Sequence, residues 1–178
     1  MDAPAGSKSN RGLPPVALRP ERPGDERLLF DIYASTREEE LALTNWDEPT
    51  RRAFLNQQFN AMRQGYRNMF PAGEFSIIEL DGRPAGRIVI DRSATEIRVV
   101  DIALLPACRN RGVGTCLMRR VCAEASKTGR PVRLCVLKNN RAFNWYERLG
   151  FAKIGERGFY DELEWRPVAA DGLTSPAG

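Results

Sequence analysis

The sequence predicts a single α/β domain, with a mixed, mostly antiparallel central sheet, one parallel strand pair and helices on both faces. Three observations predict it. Segments with strand and helix periodicity follow one another in the order β-α-α-β-β-β-α-β-α-β-β between about residues 16 and 165. Asp81-Gly82 stands between two strand-like runs, a hairpin signal that opens an antiparallel meander. A helical stretch from Val113 to about Thr128 joins two apolar strands, and such a crossover produces a parallel pair.

The elements follow in order. Val16–Arg19 makes a short strand. Asp25 is read as the N-cap of a helix whose apolar residues Leu28, Leu29, Ile32 and Tyr33 keep helical spacing into Glu38–Glu40. Pro49 and Thr50 open a second helix with Phe54, Leu55, Phe59 and Met62 on its apolar face, fading near Tyr66. Phe75–Leu80, Pro84–Asp91 and Glu96–Leu105 form the meander. The helix from Val113 stops at Gly129 and Pro131. Val132–Leu137 is a strand, Ala142–Leu149 a short helix ended by Gly150, and Phe151–Glu156 and Phe159–Trp165 a last strand pair turning at Gly158.

At 178 residues the chain fits one domain over 15–166, with tails at 1–14 and 167–178 whose Pro, Gly and Ser content predicts disorder. No apolar run approaches the ~20 residues of a membrane helix, and the N-terminus lacks the apolar core of a secretory leader, so no membrane partner and a cytoplasmic location are expected. The net charge is +4, but arginines alternate with acids along most of the chain; no nucleic-acid partner is expected. Four cysteines without a CxxC pair read as buried, reduced thiols. The chain has no histidine, which removes the commonest general base, the Ser–His and Cys–His pairs and most zinc sites. No metal is expected, and proton transfer falls to Asp, Glu, Tyr, Cys, Lys or water.

The stretch Val99–Phe151 carries the chemistry. An apolar run ends at Pro106, and the basic loop Arg109-Asn110-Arg111-Gly112-Val113-Gly114 runs directly into a helix. A helix start has unpaired N–H groups and partial positive charge, and glycines let an anion approach the backbone. The amides of Gly112, Val113, Gly114 and Thr115 therefore describe a phosphate cradle, with Arg109 and Arg111 as guanidinium donors. The other reading of the same residues is a tight strand-to-helix turn with exposed arginines. The loop is neither a Walker A loop nor a dinucleotide fingerprint, because it lacks the Gly-Lys-Ser/Thr ending and the third glycine.

Arg109-x-x-Gly112-x-Gly114 after Leu104-Leu105-Pro106 resembles the acetyl-CoA-binding motif of the GNAT superfamily of N-acetyltransferases. Asn139, Ala142, Tyr146 and the ending Leu149-Gly150-Phe151 resemble that family's second CoA-contacting motif. The resemblance implies a GNAT fold from about Val16 to Trp165. It implies acetyl-CoA as cosubstrate, with Asn139 contributing to its binding, and direct attack of a primary amine on the thioester in a ternary complex. It implies that Ile102, Ala103 and Leu104 hold the pantetheine arm by edge backbone bonds, that the Leu104 amide polarises the acetyl carbonyl, and that Tyr146 is the general acid. The base is then Glu96, Asp101 or a water. Glu96 and Asp101 lie an odd number of residues apart, so an unbroken strand directs them to opposite faces and only a bulge brings both to one.

The acceptor pocket is expected between the two N-terminal helices, their connection and the late hairpin. In that connection Glu40 is read as attracting a cationic amine and Trp46 as giving cation–π contact; the other reading is a solvated helix end with Trp46 plugging the core. The expected partner is a small-molecule or peptide amine, the protein being a monomer or homodimer. The competing function is a catalytically silent acyl-CoA-binding sensor or interaction module.

Overall fold

A computed structural model of the chain describes residues 15–168. The expected tails, apart from Pro167 and Val168, lie outside the described residues. One seven-stranded sheet runs through the domain: β1 (Val16–Pro20), β2 (Glu74–Leu80), β3 (Arg83–Arg92), β4 (Ile97–Leu104), β5 (Val132–Leu137), β6 (Ala152–Arg157) and β7 (Tyr160–Trp165), in the spatial order β1-β2-β3-β4-β5-β7-β6. Every neighbouring pair is antiparallel except β4–β5, which the crossover helix makes parallel.

The helices are α1 (Glu26–Ser35), α2 (Glu38–Leu41), α3 (Glu48–Met69), α4 (Val113–Thr128) and α5 (Ala142–Arg148). Adjacent strand residues point to opposite faces, and the core divides accordingly. Ile77 packs with Leu29, Tyr33, Leu41, Leu55 and Phe59 under α1 and α3. Ile78 packs with Ile88, Ile97, Val113, Leu117 and Tyr146 under α4 and α5. No described helix is long and apolar enough to cross a membrane.

Three local differences from the sequence reading have identifiable causes. The first helix does not continue into Glu38–Glu40: the Ser35 and Thr36 hydroxyls donate to the Ile32 and Tyr33 carbonyls (2.8 and 2.7 Å), and the chain turns before α2. Asp25 does not cap α1 with its side chain. Its carboxylate instead accepts both terminal nitrogens of Arg19 (2.7 Å each) and the Arg22 N–H (2.8 Å), tying β1 to the helix entry. The second helix starts at Glu48 because Asp47 accepts the Thr50 N–H (3.0 Å), a capping contact ahead of Pro49.

Candidate active site

Two irregularities of β4 create the site. Val89 of β3 faces Asp101, but the next residue, Ile90, faces Val99, so Val100 is an extra residue on β4. Ile97 and Val99 point into the core beneath α4, while beyond the bulge Ile102 and Leu104 take over that face. Asp101 is thereby turned to the other face, where its Oδ2 accepts Arg87 Nε at 2.6 Å. Strand β4 also pairs with β5 only over Ile97–Val99 against Val132–Leu134. Past that point the two strands line opposite walls of a cleft of about 540 Å³, within the range of small-molecule sites.

The cleft brings together residues from both faces of the sheet. Tyr146 enters from α5, Asp101 and Arg87 from the sheet, Tyr33 and Tyr66 from α1 and α3, and Tyr160 from β7. Tyr146 packs on Trp145 (ring centroids 4.6 Å apart) and Phe151 (5.7 Å) and is buried. Burial, with a contribution from the Asp101 charge, pushes its phenol well above its usual pKa, so the hydroxyl keeps its proton through the neutral and mildly alkaline range. Burial likewise raises Asp101 above the usual carboxylate range, against the opposing charge and hydrogen bond of Arg87.

Of the two carboxylates expected as base, only Asp101 lines the cleft. Glu96 precedes β4, and its two oxygens accept Arg98 Nε (2.8 Å) and Arg133 Nη1 (2.9 Å). The bulge places Glu96 and Asp101 on the same face, but an arginine chain through Arg133 to Glu164 (2.8 Å) holds Glu96 away from the opening.

The open edge of β4 is supplied by alternate residues. Leu105 N–H donates to Ala85 O on the β3 side (2.9 Å). Strand alternation then aims the Ala103 backbone at β3 and those of Ile102 and Leu104 at the side β5 has vacated. Of the three residues expected to offer edge groups, Ala103 thus points the other way. The Leu104 carbonyl accepts Arg109 Nε at 3.0 Å.

Beyond Leu104 the loop enters α4 through Gly112, a left-handed residue (φ +80°) with no capping side chain, and Asn110 is also left-handed (φ +58°). The space where a Gly112 side chain would project is empty, and no side chain caps the first-turn amides of α4. Arg111 is exposed beside them. Arg109 is largely committed to structure: besides Leu104 O, it donates to Ser35 O (3.0 Å) and Ser35 Oγ (2.9 Å), fastening the loop to α1. A Cβ on Gly114 would sit 3.2 Å from the Trp145 ring, and Trp145 Nε1 donates to Thr115 Oγ1 (3.1 Å). The first turn of α4 is therefore bolted to the helix that carries Tyr146. Sequence reasoning took Gly114 and Thr115 only as amide donors and missed Trp145.

Asn139 is exposed in a left-handed turn (φ +64°), whereas its neighbour Asn140 lines the cleft and accepts the Ala142 N–H (2.8 Å) at the start of α5. An Asn two residues before a helix was the available signal. Glu40 and Trp46 are not among the residues lining the cleft: Glu40 faces outward and bonds Arg37 Nη1 (3.1 Å), and Trp46, half-exposed, packs edge-on against Phe54 (5.0 Å). Arg37 itself, with Arg98 and Arg157, lines the wall. Cys135, expected to be buried, is exposed in the cleft because it alternates with Leu134 and Val136 on β5.

Comparison with known proteins agrees with this geometry. Residues 71–153 match the family model described as the acetyltransferase (GNAT) domain. An uncharacterized N-acetyltransferase of Methanocaldococcus jannaschii is 35% identical over 88 residues, 43% of this chain and 38% of that protein. The chain thus spans well under half the length of that curated relative. The PaiA N-acetyltransferase of Thermoplasma acidophilum, solved in complex with coenzyme A, shares the fold with a TM-score of 0.62 at 18% identity, over 85% of this chain and 98% of that one. The ribosomal-protein-S18-alanine N-acetyltransferase of Escherichia coli does so with a TM-score of 0.54 at 20% identity, over 89% and 98%.

Proposed function

We propose that this chain is a member of the GNAT superfamily and transfers the acetyl group of acetyl-CoA to a primary amine by direct attack in a ternary complex. The observation that carries this reading is the parting of β4 and β5, which opens one cleft to Asp101 from one face of the sheet and to Tyr146 from the other.

The diphosphate of the carrier is held by the uncapped amides of Val113–Thr115 and by Arg111. The pantetheine arm lies against the vacated edge of β4, using Ile102 and Leu104 as a neighbouring strand would. The Leu104 N–H, on the same edge, polarises the thioester carbonyl. An acceptor arriving as ammonium gives a proton to Asp101, whose raised affinity for protons makes it a better base than an ordinary aspartate. The free amine forms the C–N bond, the C–S bond breaks, and one amine proton ends on the CoA sulfur while the other goes to solvent through Asp101. A thiol of pKa ~8.5 is a stronger acid than this phenol, so Tyr146 keeps its own proton and donates a hydrogen bond to the thiolate as the tetrahedral species collapses, and the proton shed by the attacking nitrogen ends on the sulfur.

The test is thiol release from acetyl-CoA against a panel of primary amines, with acetyl-CoA binding measured by calorimetry. Turnover that depends on an amine supports the reading. Absence of binding to any CoA ester overturns it.

A further inference from the structure

The charge lining the cleft does not match a simple cationic amine. Four arginines face it, Arg37, Arg87, Arg98 and Arg157, and one carboxylate, Asp101. Arg87 is buried and bonded to Asp101, so that pair is locally balanced. The remaining three guanidiniums have acid partners, Glu40, Glu96 and Glu162, none of which lines the cleft. The positive groups border the cleft and the compensating carboxylates do not.

Arg37 is the best placed of the three. It sits at the corner between α1 and α2, with its guanidinium 5.6 Å from the centre of the Tyr33 ring. Tyr33 is also approached by Arg87 at 5.9 Å, so Arg37 and the Asp101–Arg87 pair share one aromatic neighbour. The Arg37 side chain donates from Nη1 to Glu40, itself 65% exposed, and also engages Tyr33, whose ring it overlies. A pair so exposed contributes little and is readily exchanged for a carboxylate that meets the planar guanidinium with two parallel bonds. On the opposite rim Arg157, 77% exposed, makes a long 3.4 Å contact with Glu162.

We infer that the acceptor amine also bears an anionic group, a carboxylate as in the amino-acid series, and that Arg37 receives it while the amine lies at Asp101. This rests on the acetyltransferase reading of the same cleft. A carboxylate accepts two parallel N–H bonds from a guanidinium, and an amine lacking the anion meets the positive groups bordering the cleft uncompensated. The glutamate-rich connection that the sequence offered as an attractor of cations thus works in the opposite sense: Glu40 holds Arg37 from outside the cleft.

The experiment compares matched triplets of an amino acid, its carboxamide and its decarboxylated amine, by kcat/KM for thiol release. The same compounds are titrated calorimetrically into the protein with and without CoA. The acids should exceed their amides by about 10-fold or more, the size of a charge-assisted pair of bonds. The preference should collapse in Arg37→Gln, survive in part in Arg37→Lys and weaken in Arg157→Gln at the exposed rim, with acetyl-CoA affinity unchanged. Amides or decarboxylated amines equal to the acids in both assays, no detectable binding of the acids, or a preference untouched in Arg37→Gln overturns the inference. A carboxylate preference in binding without thiol release from any amine supports the anion site and counts against the transfer reaction.

Discussion

At the scale of single residues, the proposed reaction gives its proton chemistry to Tyr146 and Asp101. Tyr146→Phe preserves the packing on Trp145 and Phe151 and removes only the hydroxyl. Its expected effect is a fall of about 10²-fold in kcat with acetyl-CoA affinity unchanged, checked by steady-state kinetics and calorimetry. Asp101 must be ionised to accept a proton, and burial raises its pKa above the ordinary value of 3.8. The acid limb of kcat/KM should therefore lie above the ordinary aspartate range, with activity lost as pH falls through it. Asp101→Asn should lower the rate and abolish that limb in a profile from pH 4 to 9. A limb unchanged in the variant identifies a different base. Tyr146 and Asp101 were both legible in the sequence as candidates, the first through its motif and the second through its strand. That Asp101 and not Glu96 lines the cleft was not, because it depends on which carboxylate Arg98 and Arg133 engage.

At the scale of elements, the site depends on how closely β3 and β4 approach. A Cβ on Gly86 would run into the Ala103 carbonyl oxygen and the Leu104 side chain, in the segment whose outer edge is offered to the carrier. Gly86→Ala should displace β4 there, costing about 1–3 kcal/mol in denaturant unfolding and weakening acetyl-CoA binding. Stability and affinity both left at wild-type values would contradict the role given to this edge. The existence and order of the strands were readable from periodicity and from Asp81-Gly82. The bulge at Val100 was not, since it is a property of register between β3 and β4 and leaves no mark in the apolar run of β4 alone. The break between α1 and α2 was obscured for a related reason: Ser35 and Thr36 fit a helix by spacing, and only their hydroxyl bonds to the preceding turn show where it ends.

At the scale of the whole molecule, the sheet is held at its edge by an ion pair of Asp25, which stands at the N-cap position of α1 as expected but turns its carboxylate to Arg19. Arg19 holds the Asp25 carboxyl down to about 2, against 3.8 ordinarily. A lowered carboxylate pKa contributes stability above the ordinary value and loses it as pH falls through about 2. Asp25→Asn should cost about 1–2 kcal/mol at pH 7 and flatten the acid side of the stability profile, read from denaturant midpoints between pH 2 and 7. The fold was legible as a whole because crossover, hairpin and capping signals each act over a few residues. The acceptor wall was not, because Tyr33, Arg37, Tyr66, Arg98 and Tyr160 come from five separate segments and none carries a local signature.

The central claim is that one carrier spans the start of α4 and the gap between β4 and β5. A crystal structure of the protein with CoA tests it most directly. The account predicts the diphosphate within hydrogen-bond reach of the Val113–Thr115 amides and the sulfur beside the Tyr146 hydroxyl. A diphosphate bound elsewhere, or a sulfur remote from that hydroxyl, would contradict it.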